Sequence, residues 1–164
     1  MDEVDRILQA WARETPDLDV SPLRVLSRVS RLARHLDLER RDAFAIHSLD
    51  TWEFDVLAAL RREGPPYELS PGQLIQQTLS TSGTMTNRID RLAERGLVER
   101  LPDPKDRRGV RVRLLPPGRD VVEAALADLV EREQDILASL SAAEREKVAD
   151  LLRRLVQPFE NGRG

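Results

Sequence analysis

Apolar positions along the chain fall into helical stripes everywhere except one short span. Val4, Ile7, Leu8 and Trp11 recur at the three-and-four spacing of a helix face, predicting a helix over Asp2–Glu14 that stops at Thr15-Pro16. Ser21 followed by Pro22 reads as an N-cap with proline at the first helical position, and Leu23, Leu26, Val29, Leu32, Ala33 and Leu36 extend that helix to about Arg41. Asp50 to Glu53 has the form of a capping box opening a third helix, with Phe54, Leu57, Ala58 and Leu60 inward and Gly64-Pro65-Pro66 as its stop. Tyr67-Glu68-Leu69 has room only for a brief strand. Ser70-Pro71-Gly72-Gln73 is a second capping box, for a short helix to about Gln77, and a Thr78-Leu79-Ser80 turn leads into a helix over Thr81–Arg95. After the exceptional span, Pro116-Pro117-Gly118 opens a long helix to about Leu140. Ser141-Ala142-Ala143-Glu144 caps a last one carrying Val148, Leu151, Leu152, Leu155, Val156 and Phe159, and the tail Asn161–Gly164 is expected to be loose.

The exception lies just past Gly96, placed to end the Thr81–Arg95 helix in a left-handed conformation. There Val110, Val112 and Leu114 alternate with Arg111 and Arg113, the period of a strand buried on one side. Asp103-Pro104-Lys105-Asp106-Arg107-Arg108-Gly109 before it is too charged to bury and reads as a hairpin loop. On the preceding helix Met85, Ile89 and Leu92 share one face, so Gly83, Thr84, Asn87, Asp90 and Arg91 share the opposite one. Short helix, tight turn, helix, basic hairpin is the order of a winged helix-turn-helix, whose second helix enters the major groove of DNA. The fold class expected is therefore mainly α with a small β-wing. One domain spans 1–164, with a DNA-binding lobe at 50–115 and surplus helices at 1–43 and 117–160. The surplus helices carry apolar stripes that need a partner, and a second copy related by a two-fold axis supplies one.

Charge sharpens this picture. The whole chain is acidic, with 26 Lys+Arg against 29 Asp+Glu, which by itself disfavours a nucleic-acid partner. Thr81–Leu115, however, holds nine Lys+Arg against five acids, leaving seven excess acids on the remainder. A basic face on an acidic body directs phosphate to one surface. On that surface Ser82, Gly83, Thr84, Thr86, Asn87, Arg91, Lys105, Asp106, Arg107, Arg108 and Arg111 are the candidate DNA-binding residues. Asn87 and Arg91 are assigned to base edges, and Lys105, Arg107 and Arg111 to phosphates.

Composition excludes other chemistry. With no cysteine, there is neither a disulfide frame nor a thiolate metal site. His35 and His47 are spaced for no common helical ligand pair, so no metal and no cofactor are expected. No phosphate-binding glycine loop or nucleophile elbow occurs, and the Asp17/Asp19 pair sits in polar spacer, so no enzymatic activity is expected. No stretch reaches the length of a membrane span and the N-terminus lacks a cationic secretion start, so the expected compartment is the cytoplasm.

TNRIDRLAERGLVER and DPKDRRGVRVRLLPPG resemble the recognition helix and D-x-R wing of the MarR family of transcription regulators, and the resemblance extends over nearly the whole chain. It implies a dimer on a pseudo-palindromic operator, with Arg108 in the minor groove and its guanidinium held by Asp106. Pro116 departs from the threonine usual in the family. A narrower resemblance is to the urate-responsive, PecS-like branch, carried by Trp11 on an extra N-terminal helix, by Glu53-Phe54-Asp55-Val56 and by Gly64-Pro65-Pro66-Tyr67. It implies a small anionic or aromatic effector held by Trp11, Asp55, Arg62 (or Arg61) and Arg88, with the ligand competing against Asp55 for Arg88. The function expected is a repressor released by such a ligand. The competing reading is a winged-helix adaptor that presents the same face to another protein.

Overall fold

The computed structural model describes residues 1–161 and contains seven helices and three strands within them. These are α1 Glu3–Glu14, α2 Leu23–Ala45, α3 Thr51–Glu63, β1 Glu68–Leu69, α4 Pro71–Thr78, α5 Ser82–Glu94, β2 Val98–Asp103, β3 Asp106–Leu114, α6 Pro116–Ile136 and α7 Ala142–Asn161. Capping residues mark the starts where side chains reach back to free amides. In α3 Asp50 and Glu53 cap reciprocally, and in α4 Ser70 accepts from the Gln73 amide at 3.2 Å while Gln73 accepts from the Ser70 amide at 2.8 Å. α1 has an unforeseen box of the same kind, between Asp2 and Asp5. The end of α5 is a Schellman closure: Gly96 sits at φ +69°, its amide reaches the Ala93 carbonyl and the Leu97 amide reaches that of Leu92.

Several expected boundaries shift. Ser21 does not cap α2: its amide and hydroxyl both bond the Asp19 carboxylate, and the helix begins at Leu23. α2 then runs to Ala45, because Ala43 and Phe44 are drawn into the core. α6 ends at Ile136, four residues early, and turns lead to Ser141. The hairpin loop is shorter than read. β2 and β3 pair as far as Asp103 and Asp106, leaving only Pro104-Lys105 as the turn, with the Asp103 carboxylate accepting the Lys105 amide at 2.9 Å. Of the expected tail, Asn161 ends α7 and the rest lies outside the described residues.

β1 joins the wing as its third strand, giving the order β1-β3-β2 with both pairs antiparallel. The core lies between this sheet and the helices: Phe44 stacks on Phe54 at 3.9 Å, and Leu57, Leu60, Leu69, Leu74, Met85, Ile89, Leu92 and Val112 are fully buried around α3. α6 enters from the sheet through Gly118, which lies so close to the Leu97 carbonyl that an added Cβ would overlap it. The terminal helices contrast with this closure. Leu151, Leu152, Leu155 and Val156 of α7 are exposed, with Phe159 at 74%, as are Leu126 and Val130 of α6 and Val25, Leu26 and Leu32 of α2. No helix among the described residues is long and apolar enough to cross a membrane.

Candidate nucleic-acid interface and effector cleft

α5 buries Met85, Ile89 and Leu92, and this fixes what it turns outward. Ser82, Gly83, Thr84, Thr86, Asn87, Asp90 and Arg91 are all exposed. Of the two acids on that face, Asp90 and Glu94, Asp90 accepts from Arg100 of β2 at 2.7 Å. Arg88 and Arg91 of α5 and Arg95, the residue that caps it, sit three and four residues apart and therefore follow one side of the helix. All three land on the first turn of α3. Arg88 and Arg91 hold their guanidinium carbons 5.3 and 5.0 Å from the Trp52 ring, and Arg95 donates twice to the buried Glu53 carboxylate, at 2.7 and 2.8 Å. Arg95 also reaches the Ser48 carbonyl at 2.9 Å, so the C-terminal end of α5 is tied to the α2–α3 junction.

In the wing Lys105, Arg107 and Arg108 are exposed. Two details of the sequence reading change. Asp106 accepts the backbone amide of Arg108 at 3.0 Å, so it shapes the strand end beneath that residue and does not clasp the guanidinium. Arg111, read as a phosphate contact, turns instead to β1, where it donates to the Glu68 carbonyl at 3.3 Å and lies 3.8 Å from its carboxylate. Glu68 also binds Arg113, which bridges to Glu99. The strand pair thus spends its inner arginines on holding the sheet and leaves the outer ones free.

The residues read as an effector set are divided among three places. Asp55 and Arg88 line one cleft of about 610 Å³, together with Arg41, Trp52, Leu79 and Ser80. Arg62 lines a second, of about 300 Å³, with Arg40, Arg61, Phe54, Val122 and Leu129. Trp11 lines neither: it is half-exposed on α1, which is fastened to α2 through Arg28 and its bonds to Asp2 and Asp5. The proposed rivalry for Arg88 is also corrected. Arg88 bonds Ser80 Oγ at 2.9 Å, while Asp55 accepts from Arg40 at 2.9 Å, and this ion pair joins the two clefts. Burial raises the Asp55 carboxyl above its ordinary value, outweighing the lowering by Arg40, Arg88 and Arg62. Arg41, Arg88 and the Trp52 ring bring two cations and an aromatic face to the cleft that Asp55 lines. Sequence reasoning missed Arg40 and Trp52. Trp52 had one available signal, a large aromatic two places after an N-cap and off the buried stripe.

The MarR family profile matches residues 47–109. The regulator PecS of Dickeya dadantii is 37% identical over 161 residues, covering 98% of this chain and 97% of that protein. The chain belongs to the MarR family. The transcriptional repressor NicR of Pseudomonas putida is 32% identical over 148 residues, covering 88% of this chain and 92% of NicR. Among solved structures, BpsR of Bordetella bronchiseptica, described with regulation of its DNA binding by 6-hydroxynicotinic acid, superposes with a TM-score of 0.61. It is 31% identical, over 78% of this chain and 98% of that one. Regulators of the MarR family bind operator DNA as dimers and respond to small molecules, and the mainly helical fold with its three-stranded wing is theirs.

Proposed function

We propose that this chain is a homodimeric, sequence-specific DNA-binding repressor, acting in the cytoplasm and without enzymatic activity, released by a small anionic or aromatic effector. The observation that carries the reading is the outer face of α5, where Gly83, Thr84, Asn87 and Arg91 lie open and Asp90 beside them is paired with Arg100. Small residues at the front of the helix let the backbone approach the groove, and Asn87 and Arg91 bring the donor–acceptor pair and the donor fork that read adenine and guanine. Lys105 and Arg107 flank it as contacts to the sugar–phosphate backbone, and Arg108 reaches the minor groove. α1, α2, α6 and α7 serve as the dimerisation helices, and the two α5 helices meet half-sites about one helical turn apart. The effector enters the Asp55–Arg88 cleft, where it meets Arg88, the α5 side chain held by Ser80 and by Trp52 of α3. An anion drawing Arg88 away from them shifts the helix it belongs to.

Fluorescence anisotropy with duplexes enriched from a random pool, at two salt concentrations, tests the reading. A sequence-dependent affinity that falls steeply with salt supports it. Equal binding to enriched and scrambled duplexes favours the adaptor instead. A thermal-shift screen with aromatic carboxylates and purine-dione ligands tests the effector: stabilisation that Arg88→Ala removes supports the cleft, and stabilisation that survives in Arg88→Ala moves the site elsewhere.

A further inference from the structure

We propose that Trp52 is a positioning residue for base readout, a rigid platform that presets the guanidinium of Arg91 for one base pair of the operator. The inference rests on the DNA-reading function above and adds a residue on a different helix from the one that enters the groove. Arg91 is exposed on the outer side of α5, yet its guanidinium is not adrift, because it lies 5.0 Å from the Trp52 ring. A guanidinium over an indole face is held by cation–π attraction, which narrows the positions open to it. A free arginine loses rotamer freedom on docking, whereas one already seated has less to lose.

The platform itself is immobilised from three directions. Trp52 stands in the first turn of α3, between Asp50 and Glu53, whose side chains and amides cap one another. Glu53 is 3% exposed and takes both bonds from Arg95, so the turn that carries the indole is bound to the end of the helix that carries Arg91. Arg88 lies on the same ring at 5.3 Å and is anchored to Ser80 Oγ at 2.9 Å, which fixes the indole from the cleft side. A surface arginine with only a structural task would not need an aromatic support tied to its own helix at both ends. The geometry joins the support to a side chain that reads.

The test begins with a duplex that the wild-type protein enriches from a random-sequence pool, each base pair then being changed in turn. If the wild type enriches nothing, the DNA-reading function and this inference fall together. Arg91→Ala identifies the base pair it reads by abolishing discrimination there. Trp52→Leu is expected to lower discrimination at that same pair by about tenfold, within the range of one bidentate contact. It should leave affinity for a scrambled duplex and the salt slope unchanged. Trp52→Phe, which keeps a ring face, restores most of the loss, and adding Trp52→Leu to Arg91→Ala changes nothing further at that pair. Uniform weakening on every duplex, intact discrimination, or losses that multiply in the double variant would each overturn the proposal. Should Trp52→Leu fail to fold, the indole N–H resonances of the wild type decide, with the Trp52 signal assigned through Trp52→Phe. A shift on adding the enriched duplex that shrinks when the Arg91 base pair is changed supports the platform, and equal shifts with both duplexes refute it.

Discussion

α3 and α7 are both amphipathic helices opened by capping boxes, and the structure treats them oppositely. Of the thirteen residues of α3, seven are buried, including Phe54, Leu57 and Leu60, whereas no residue of α7 among those described is buried and its leucines face outward. A stripe at helical spacing therefore says that a face will be covered, and leaves open by what. The central lobe answers within one chain, because α4, the sheet and the inner faces of α2 and α6 close around α3. The outer helices leave apolar residues of α2, α6 and α7 exposed within one chain, and a second copy is the cover we propose.

Breaking each half should give different signatures. Leu57→Ala, in the closed core, should cost about 2–5 kcal/mol of stability, measured by denaturant unfolding at matched protein concentration. Leu152→Glu with Leu155→Glu should instead leave the lobe folded by circular dichroism, turn dimer to monomer in sedimentation, and weaken operator binding by roughly a hundredfold, the scale of losing interface anchors. Gly118→Ala probes the seam between the halves. Its methyl must displace the Leu97 carbonyl, so a loss of about 1–3 kcal/mol is expected in thermal or denaturant melts.

Two finer changes sharpen the contrast at the DNA side. Lys105→Ala should weaken enriched and scrambled duplexes alike and reduce the slope of log affinity against log salt by about 0.9, without moving the melting temperature. Asp55→Asn should have the smallest effect, and its sign depends on pH. Because folding raises this carboxyl above 3.8, its favourable contribution is complete below that value and is lost as pH rises through the folded value. At neutral pH the ionised group opposes folding, so the Asn variant should gain stability relative to the wild type. That gain should vanish in melts below pH 3.8.

Elements with local signals were legible in the sequence. Capping boxes placed α3 and α4, alternation placed β3, and the Met85, Ile89 and Leu92 stripe fixed which face of α5 points outward. What escaped was set by partners distant along the chain. Phe44 lengthens α2 because Phe54 waits to stack on it, and Arg111 turns from solvent because Glu68 of a two-residue strand lies beside it. Asp55 carried a family signature, but its true ion partner, Arg40, sits fifteen residues earlier on another helix and follows no period. The charges on α5 were readable as a set, while the indole beneath two of them was not, since nothing in a linear pattern pairs residue 52 with residue 91.

The Arg95–Glu53 clamp gives α5 a fulcrum. The far end of the helix, where Ser82 to Thr84 lead, stands about 18 Å from that fixed point, at roughly 1.5 Å per residue. A rotation of about 10° around it, too slight to disturb the clamp, sweeps the leading end through about 3 Å, roughly the length of one hydrogen bond. Leverage of this kind makes the row of contacts at the tip answer to displacements near the clamp that are smaller than a bond length.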